Sequence, residues 1–255
     1  MLALYSAEQS HIGARRRNED ACGQVRVGEC VCLCVSDGAG GHSGGDVAAR
    51  IVVETVLDMF EASPGVSSAV AARLIEAAHG AVLVAKQDHV DDMHATCALL
   101  LIDLERREAV WAHAGDSRVY FFRAGEVVFQ TRDHSLVQTM IDAGYGGLEL
   151  TRTHPQRSLL TSAIGNLEGI EVSVSGEALP LHAGDCFLVC SDGWWEHVHE
   201  TQMVTTLAEA ASMPDWLERM ARVVSADPAP RHDNYTAIAV RLQDAAGRSL
   251  HSLEP

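Results

Sequence analysis

Residues 30–38 read CVCLCVSDG and residues 186–193 read CFLVCSDG. Each is a short apolar run that stops at Ser-Asp-Gly. Runs of this length, closed by turn residues, read as strands buried on both faces. Cys30, Cys32 and Cys34 alternate, so on a strand they share one face and pack as small apolar groups. The repeated ending puts Asp37 and Asp192 at equivalent strand ends. Each stands beside a glycine, which lets backbone or ligand come close.

Working outward, a glycine-rich loop over 38–45 leads into a helix expected at 46–61. Its apolar positions Val47, Ile51, Val52, Val56, Met59 and Phe60 recur at helical spacing. Ser63-Pro64-Gly65 breaks it. A second helix is expected at 66–87, alanine-rich, with Val70, Leu74, Ala77, Ala81 and Val84 on one face. From Ala95 the pattern turns to strands: ATCALLLID, EAVWAHA, SRVYFFR and EVVFQT, separated by turn residues. Asp133-His134-Ser135 opens a helix that Gly144 stops. Residues 145–158 are polar and irregular, the pattern of a mobile loop. EVSVSG reads as a strand, helices follow near 200–211 and 214–226, and NYTAIAVRL closes the fold as a strand. Helices come in pairs rather than between every two strands. That excludes a doubly wound parallel sheet and predicts an α+β architecture, sheets packed together and covered by helix pairs. The boundaries are one domain over 1–242 and a loose tail over 243–255.

Composition narrows the function. The chain has 255 residues, 47% of them hydrophobic, too apolar for a disordered protein. Its net charge of −16 comes from 19 Lys and Arg against 35 Asp and Glu, which argues against a nucleic-acid partner. The one basic cluster, Arg15-Arg16-Arg17, reads as a solvated turn or a local anion site. The apolar runs fall short of the roughly 20 residues of a membrane span. The basic residues follow the short apolar start, the wrong order for a signal peptide, so a cytoplasmic location is expected. The seven cysteines form an odd set without a CxxC pair and read as free thiols.

The chemistry lies in the carboxylates. WAHAGDSR adds Asp116 at a third strand end, and HDNYTAIAV puts Asp233 at a strand start. Any one of these could be an ordinary turn residue. Four such sites at the ends of apolar strands point to a shared site. Gathered together, they cannot all stay ionised without cations, and oxygen ligands favour Mg²⁺ or Mn²⁺. HExxH and GxxxxGK[ST] motifs are absent.

Taken in order, HIGARRRNED, SDGAGGHSGGDVAA, AHAGDSRVY, LLTSAIG, SDGWWEHV and HDNYTAIAV resemble the motifs of the PPM family of metal-dependent protein serine/threonine phosphatases, often called type 2C. The resemblance covers about residues 8–241. It implies two packed antiparallel β-sheets flanked by paired α-helices, an αββα sandwich. It also implies that Asp37 bridges two metals, that the Gly38 carbonyl binds one of them, and that Asp192 and Asp233 bind the other. Asp116, with Asp192, resembles the third-metal site of bacterial members. Glu19 and Asp20 match acidic positions that hold metal-bound waters, Arg15 matches the phosphate-binding arginine, and Asn234 stands behind the ligands. Ala39 occupies the place of a histidine proposed as general acid in eukaryotic members, leaving His42 or a metal-bound water for that task. The family's Gly-Thr-Thr strand start is His94-Ala95-Thr96 here, so local backbone geometry is expected to differ, and its helix-start glutamate is Asp46.

The implied reaction is hydrolysis of phosphoserine or phosphothreonine in proteins by a metal-bound hydroxide, with Arg15, Asp37 and Asp192 central. It would oppose a bacterial Ser/Thr kinase acting on the same phosphoproteins. The alternative is a pseudophosphatase that binds or regulates; loss of metal ligands would mark it, and none is lost. Residues 145–158 match the family's variable flap, and Arg152, His154 and Arg157 are expected to meet acidic or phosphorylated substrate segments. The Trp194-Trp195 pair is similar to that of members associated with type VI secretion clusters.

Overall fold

The computed structural model describes residues 2–39, 44–88, 93–227 and 232–245. In chain order its elements begin with β1 (Leu2–His11), β2 (Ala21–Val27), β3 (Cys30–Ser36) and β4 (Gly38–Ala39). Two long helices follow, α1 (Gly45–Ala62) and α2 (Ser68–Asp88). Then come β5 (His94–Ala95), β6 (Cys97–Asp103), β7 (Glu108–Ala114), β8 (Arg118–Arg123) and β9 (Glu126–Gln130). After α3 (Leu136–Asp142), α4 (Leu150–Thr153), β10 (Ser173–Val174), β11 (Leu179–Pro180) and β12 (Cys186–Cys190), the chain ends in α5 (Asp192–Trp195), α6 (Glu200–Glu209), α7 (Met213–Ala226) and β13 (Tyr235–Asp244).

Two antiparallel sheets carry the fold. One runs β1-β13-β12-β8-β9 and the other β10-β7-β6-β3-β2, with β11 beside β7. The two Ser-Asp-Gly strands thus lie in different sheets, β3 in one and β12 in the other. Strand alternation sorts their side chains into layers. Val31, Leu33 and Val35 of β3 meet Phe187 and Val189 of β12, Phe121 and Ile238 between the sheets. Cys32 and Cys34 face the other way, onto Val52, Val56 and Phe60 of α1 and Leu74 and Ile75 of α2. Leu188 and Cys190 face Trp216, Leu217 and Met220 of α7. Each fully buried Val, Leu or Phe stabilises the fold by about 1.5–3 kcal/mol. Both sheets are covered on both faces, which is why their central strands read as unbroken apolar runs.

Local signals set the helix starts. Ser135 accepts from the Gln138 amide at the head of α3, and Ser212 accepts from Asp215 at the head of α7, where Pro214 needs no amide partner.

Several expectations are corrected. β1 and β2 were not read as strands, and EVSVSG contributes only Ser173 and Val174. β13 runs to Asp244, pairing Asp244 with Leu2 and Gln243 with Ala3, so residues 243 and 244, expected in the tail, belong to the sheet, and residues 246–255 lie outside the described residues. Residues 145–158 include the helical turn α4. The span Ser68–Lys86 of α2 is long and apolar enough to cross a membrane by composition, contrary to the reading of short apolar runs. Here it lays Ala71, Leu74, Ile75, Ala78 and Val82 into the core against the β6–β7 sheet.

Candidate active site

Because β3 and β12 sit in facing sheets, their ends bring Asp37 and Asp192 to the same edge of the sandwich. A cavity of about 200 Å³ there is lined by Arg15, Glu19, Asp37, Gly38, Asp116, Asp192, Asp233 and Asn234. All four aspartates read from the sequence therefore share one cleft.

Each is held by contacts between distant parts of the chain. The Asp37 amide donates to Thr96 Oγ1 at 2.9 Å, and the Thr96 amide donates back to the Asp37 carbonyl at 2.8 Å. Thr96 thus supports Asp37 directly although two residues before it differ from the family pattern. Gly38 has no room for a side chain: a Cβ would stand 2.2 Å from the Gly45 carbonyl oxygen. A Cβ on Gly45 would in turn come within 2.8 Å of the Gly38 oxygen, so the glycine pair keeps that oxygen uncovered. Gly13 has a φ of +58°, and a Cβ there would meet the Asp233 carbonyl at 2.0 Å. Asn234 ties the Arg15 loop to the start of β13. Its Nδ2 donates to the Ile12 and Arg17 carbonyls at 2.8 and 2.9 Å, and its Oδ1 accepts from the Glu19 amide at 2.8 Å. Ser191 donates to Asp20 at 2.8 Å. The Trp195 indole donates to the Asp116 carbonyl at 2.9 Å.

The electrostatics are those of crowded carboxylates. Burial, then the charges of Asp20, Asp192 and Asp116, hold the Asp37 carboxyl well above its ordinary range. Burial, then Asp116 and Glu196, does the same to Asp192. Burial pushes Asp20 up to about 6 against the Ser191 hydrogen bond, and burial followed by Asp133 pushes Asp116 up to about 7. One oxygen each of Asp20 and Asp192 is buried without a hydrogen-bond partner. Divalent cations would satisfy such oxygens. The donors are all oxygen, carboxylates and the Gly38 carbonyl, which fits a hard divalent cation. Among the described residues no three His, Cys, Asp or Glu side chains close on one point as a ready-made cage. The carboxylates line the walls instead, an arrangement suited to ions that keep several waters.

Arg15 pairs with Asp233 at the mouth of the cleft. From there a wider groove of about 680 Å³ opens, lined by Arg15, Arg16, Arg157, Glu196, His197 and Asp233. The flap arginines divide. Arg157 faces this groove and pairs with Glu196 at 2.6 and 3.1 Å. Arg152, expected to contact substrate, turns inward instead. It donates to the Trp195 carbonyl at 2.9 Å and to Glu200 at 2.8 Å, because the α4 turn points it at the sheet side of the flap. His154 accepts from the Gln156 amide within the flap at 3.1 Å. His42 lies outside the described residues. The sequence reading missed Glu196, whose charge acts on both Asp116 and Asp192, and it missed the supports Thr96, Ser191 and Trp195. The repeated serine before each Asp-Gly signalled Ser191, while Thr96 and Trp195 stood in quoted motifs with no supporting role attached to them.

Comparison with known proteins matches residues 7–233 to the family described as protein phosphatase 2C. The serine/threonine protein phosphatase PstP of Mycobacterium tuberculosis is 32% identical over 229 residues, 88% of this chain. The chain spans 42% of that protein's length. The catalytic domain of PstP solved in complex with two manganese ions superposes with a TM-score of 0.80 at 26% identity, covering 96% of this chain and all of that one. PppA, described as a key regulatory component of the type VI secretion system in Pseudomonas aeruginosa, superposes with a TM-score of 0.74 at 29% identity, covering 94% of this chain and 97% of that one. With its layered sheets, its carboxylate cleft and these relatives, the chain belongs to the protein phosphatase 2C family.

Proposed function

We propose that the chain hydrolyses phosphoserine and phosphothreonine in proteins, using two Mn²⁺ or Mg²⁺ ions, with a third at the Asp116 end. The observation that carries this reading is the cleft itself: recessed aspartates, two of them with a buried oxygen that has no hydrogen-bond partner, next to an arginine that lines both the cleft and a wider groove of about 680 Å³. Asp37, Asp192, Asp233 and the Gly38 carbonyl would hold the central pair, and Asp116 with Asp192 the third. Glu19, Asp20 and Asn234 would stand behind them. Bound cations supply positive charge and an activated water for in-line attack on phosphorus. Arg15 presents its planar fork to two phosphoryl oxygens, leaving Asp233 as it does so. The thiols are poor rival nucleophiles, since burial pushes Cys22 up to about 12 and holds Cys190 high, and the hydrogen bond with Cys97, then burial, holds Cys34 high as well.

Names of the relatives support a protein substrate, and a cognate Ser/Thr kinase is the partner we propose. The seven free thiols suit a reducing, cytoplasmic setting. The test is hydrolysis of para-nitrophenyl phosphate and of a phosphothreonine peptide after chelation, with and without added Mn²⁺. Turnover should need the metal. Full turnover in the demonstrated absence of metal overturns the mechanism, and none with Mn²⁺ present favours the pseudophosphatase.

A further inference from the structure

Behind the Asp116 end of the cleft lies a polar network that the phosphatase reading does not use. Trp195 is 2% exposed. Its indole N–H donates to the Asp116 carbonyl at 2.9 Å. Its ring is stacked under the Arg118 guanidinium, 3.5 Å from the ring centre. Arg118 is itself locked by two bonds of 2.7 Å to Asp133 and one of 2.9 Å to the Tyr120 hydroxyl. The backbone carbonyl of the same tryptophan accepts from Arg152 Nε at 2.9 Å, and the Arg152 guanidinium also lies 5.9 Å from the ring centre. Arg152 then reaches Glu200 at 2.8 Å, which accepts from Tyr120 at 3.3 Å. Trp195 also ends the helical turn that Asp192 begins. One buried residue thus touches the segment carrying Asp116 through its indole, shares a turn with Asp192, and receives the flap on its backbone carbonyl.

We propose that Trp195 is a positioning residue that couples the seating of the flap, through Arg152, to the placement of Asp116. The flap then does more than border the substrate groove: its seating sets how well the Asp116 end of the cleft holds a cation. The argument is one of shared contacts. A charged donor buried against a carbonyl cannot leave without stranding its partners, so the flap and the tryptophan move as one. The Asp116 backbone has a second fixed point, since the Gly115 carbonyl accepts from the His134 amide at 2.9 Å. Loss of the indole bond would therefore let Asp116 pivot rather than unfold. The proposal rests on the assignment of Asp116 to a cation site, and two readouts keep the two claims apart.

The first readout is amide hydrogen exchange on the chelated chain, which involves no metal. Arg152→Ala should speed exchange in the flap and also in the segment around residues 114–118. The second is the Mn²⁺ concentration for half-maximal turnover of para-nitrophenyl phosphate. Trp195→Phe keeps the ring and loses the N–H. It and Arg152→Lys should each raise that concentration about fivefold, the size of one ordinary hydrogen bond, leaving the substrate KM unchanged. The double variant should be no worse than the poorer single one, the mark of a shared path. Faster exchange confined to the flap, or effects that multiply in the double variant, overturns the coupling. If the unaltered chain shows no Mn²⁺-dependent turnover, the proposed function fails, and the exchange pattern alone decides the positioning role.

Discussion

Asp116 has its carboxyl pushed up to about 7 from an ordinary 3.8 by burial and by Asp133. Without cations, the folded chain therefore holds a proton that the unfolded chain releases. The stability tied to that proton is complete below about pH 4 and is lost as the pH rises through about 7. A tenfold difference in proton affinity between the folded and unfolded chain corresponds to about 1.4 kcal/mol. Asp116→Asn removes the dependence. The chelated chain should thus lose several degrees of melting temperature relative to Asp116→Asn between about pH 5.5 and about pH 7.5, and excess Mn²⁺ should close the gap. A constant difference across that range would show that Asp116 is charged at all these pH values. Arg15 offers a second check. It alone of the three arginines pairs with Asp233 and lines both cleft and groove, whereas Arg16 lines only the groove. Arg15→Ala should raise the KM for phosphate esters about tenfold or more, and Arg16→Ala far less. A larger effect from Arg16 in steady-state assays would show that the phosphate enters by a different face.

The aspartates were readable because each stands at the end or start of an apolar strand, three of them beside a glycine. Thr96, Ser191 and Trp195 were not, because each works on a partner far away in sequence, and nothing local marks a threonine that supports Asp37 59 positions earlier.

Among the elements, the two long helices were readable from their period, and so were the buried central strands. The flap is a loop with one helical turn, Leu150–Thr153. Its polar composition suggested a loop, but Arg152 and Arg157 spend their charge on Glu200 and Glu196, so polarity there reports ion pairing as much as solvent. The two arginines should now behave differently. Arg157→Ala changes a residue that faces the groove, and it should slow a phosphoprotein substrate about tenfold while barely affecting para-nitrophenyl phosphate. Arg152→Ala should affect both substrates alike, because it acts through the cleft. Parallel losses for Arg157→Ala would place that side chain in the chemistry rather than in recognition. The junction of β4 and α1 makes a separate prediction. A methyl at Gly38 would meet backbone oxygen on two sides, Gly45 at 2.2 Å and Glu19 at 2.6 Å. Neither can yield without moving a helix start or the acidic loop. Gly38→Ala should cost more than about 3 kcal/mol in urea unfolding, and a cost under about 1 kcal/mol would mean that the loop is softer than its contacts suggest.

The layered architecture followed from helices that come in pairs, but the closing of the chain on itself did not. β1 reads LALYSAEQSH, with Ser6, Glu8, Gln9 and Ser10 diluting its apolar pattern. It is an edge strand, half-exposed, and its partner is β13 at the other end of the chain, in register from Leu2–Asp244 to His11–Tyr235. A pairing that distant leaves no local trace in sequence. Yet it joins fold to site, for the chain leaves β1 directly into the loop that carries Arg15, Glu19 and Asp20. That loop is pinned to the start of β13 by Ala14 on the His232 carbonyl at 2.9 Å and by Asn234 on Ile12 and Arg17. Removing residues 2–11 should therefore strip an edge from one sheet, uncover Ala239 and Leu242 of β13, and release the acidic loop. The variant should lose cooperative unfolding and Mn²⁺ binding together. Leu33→Ala is the control, since it opens a hole between the sheets at a residue that does not line the cleft. It should cost about 2–5 kcal/mol and leave the Mn²⁺ requirement of the folded fraction unchanged. If the shortened chain still unfolds cooperatively and binds Mn²⁺ as tightly as the full one, β13 can serve as an edge unaided, and the pairing of the chain ends does not build the site.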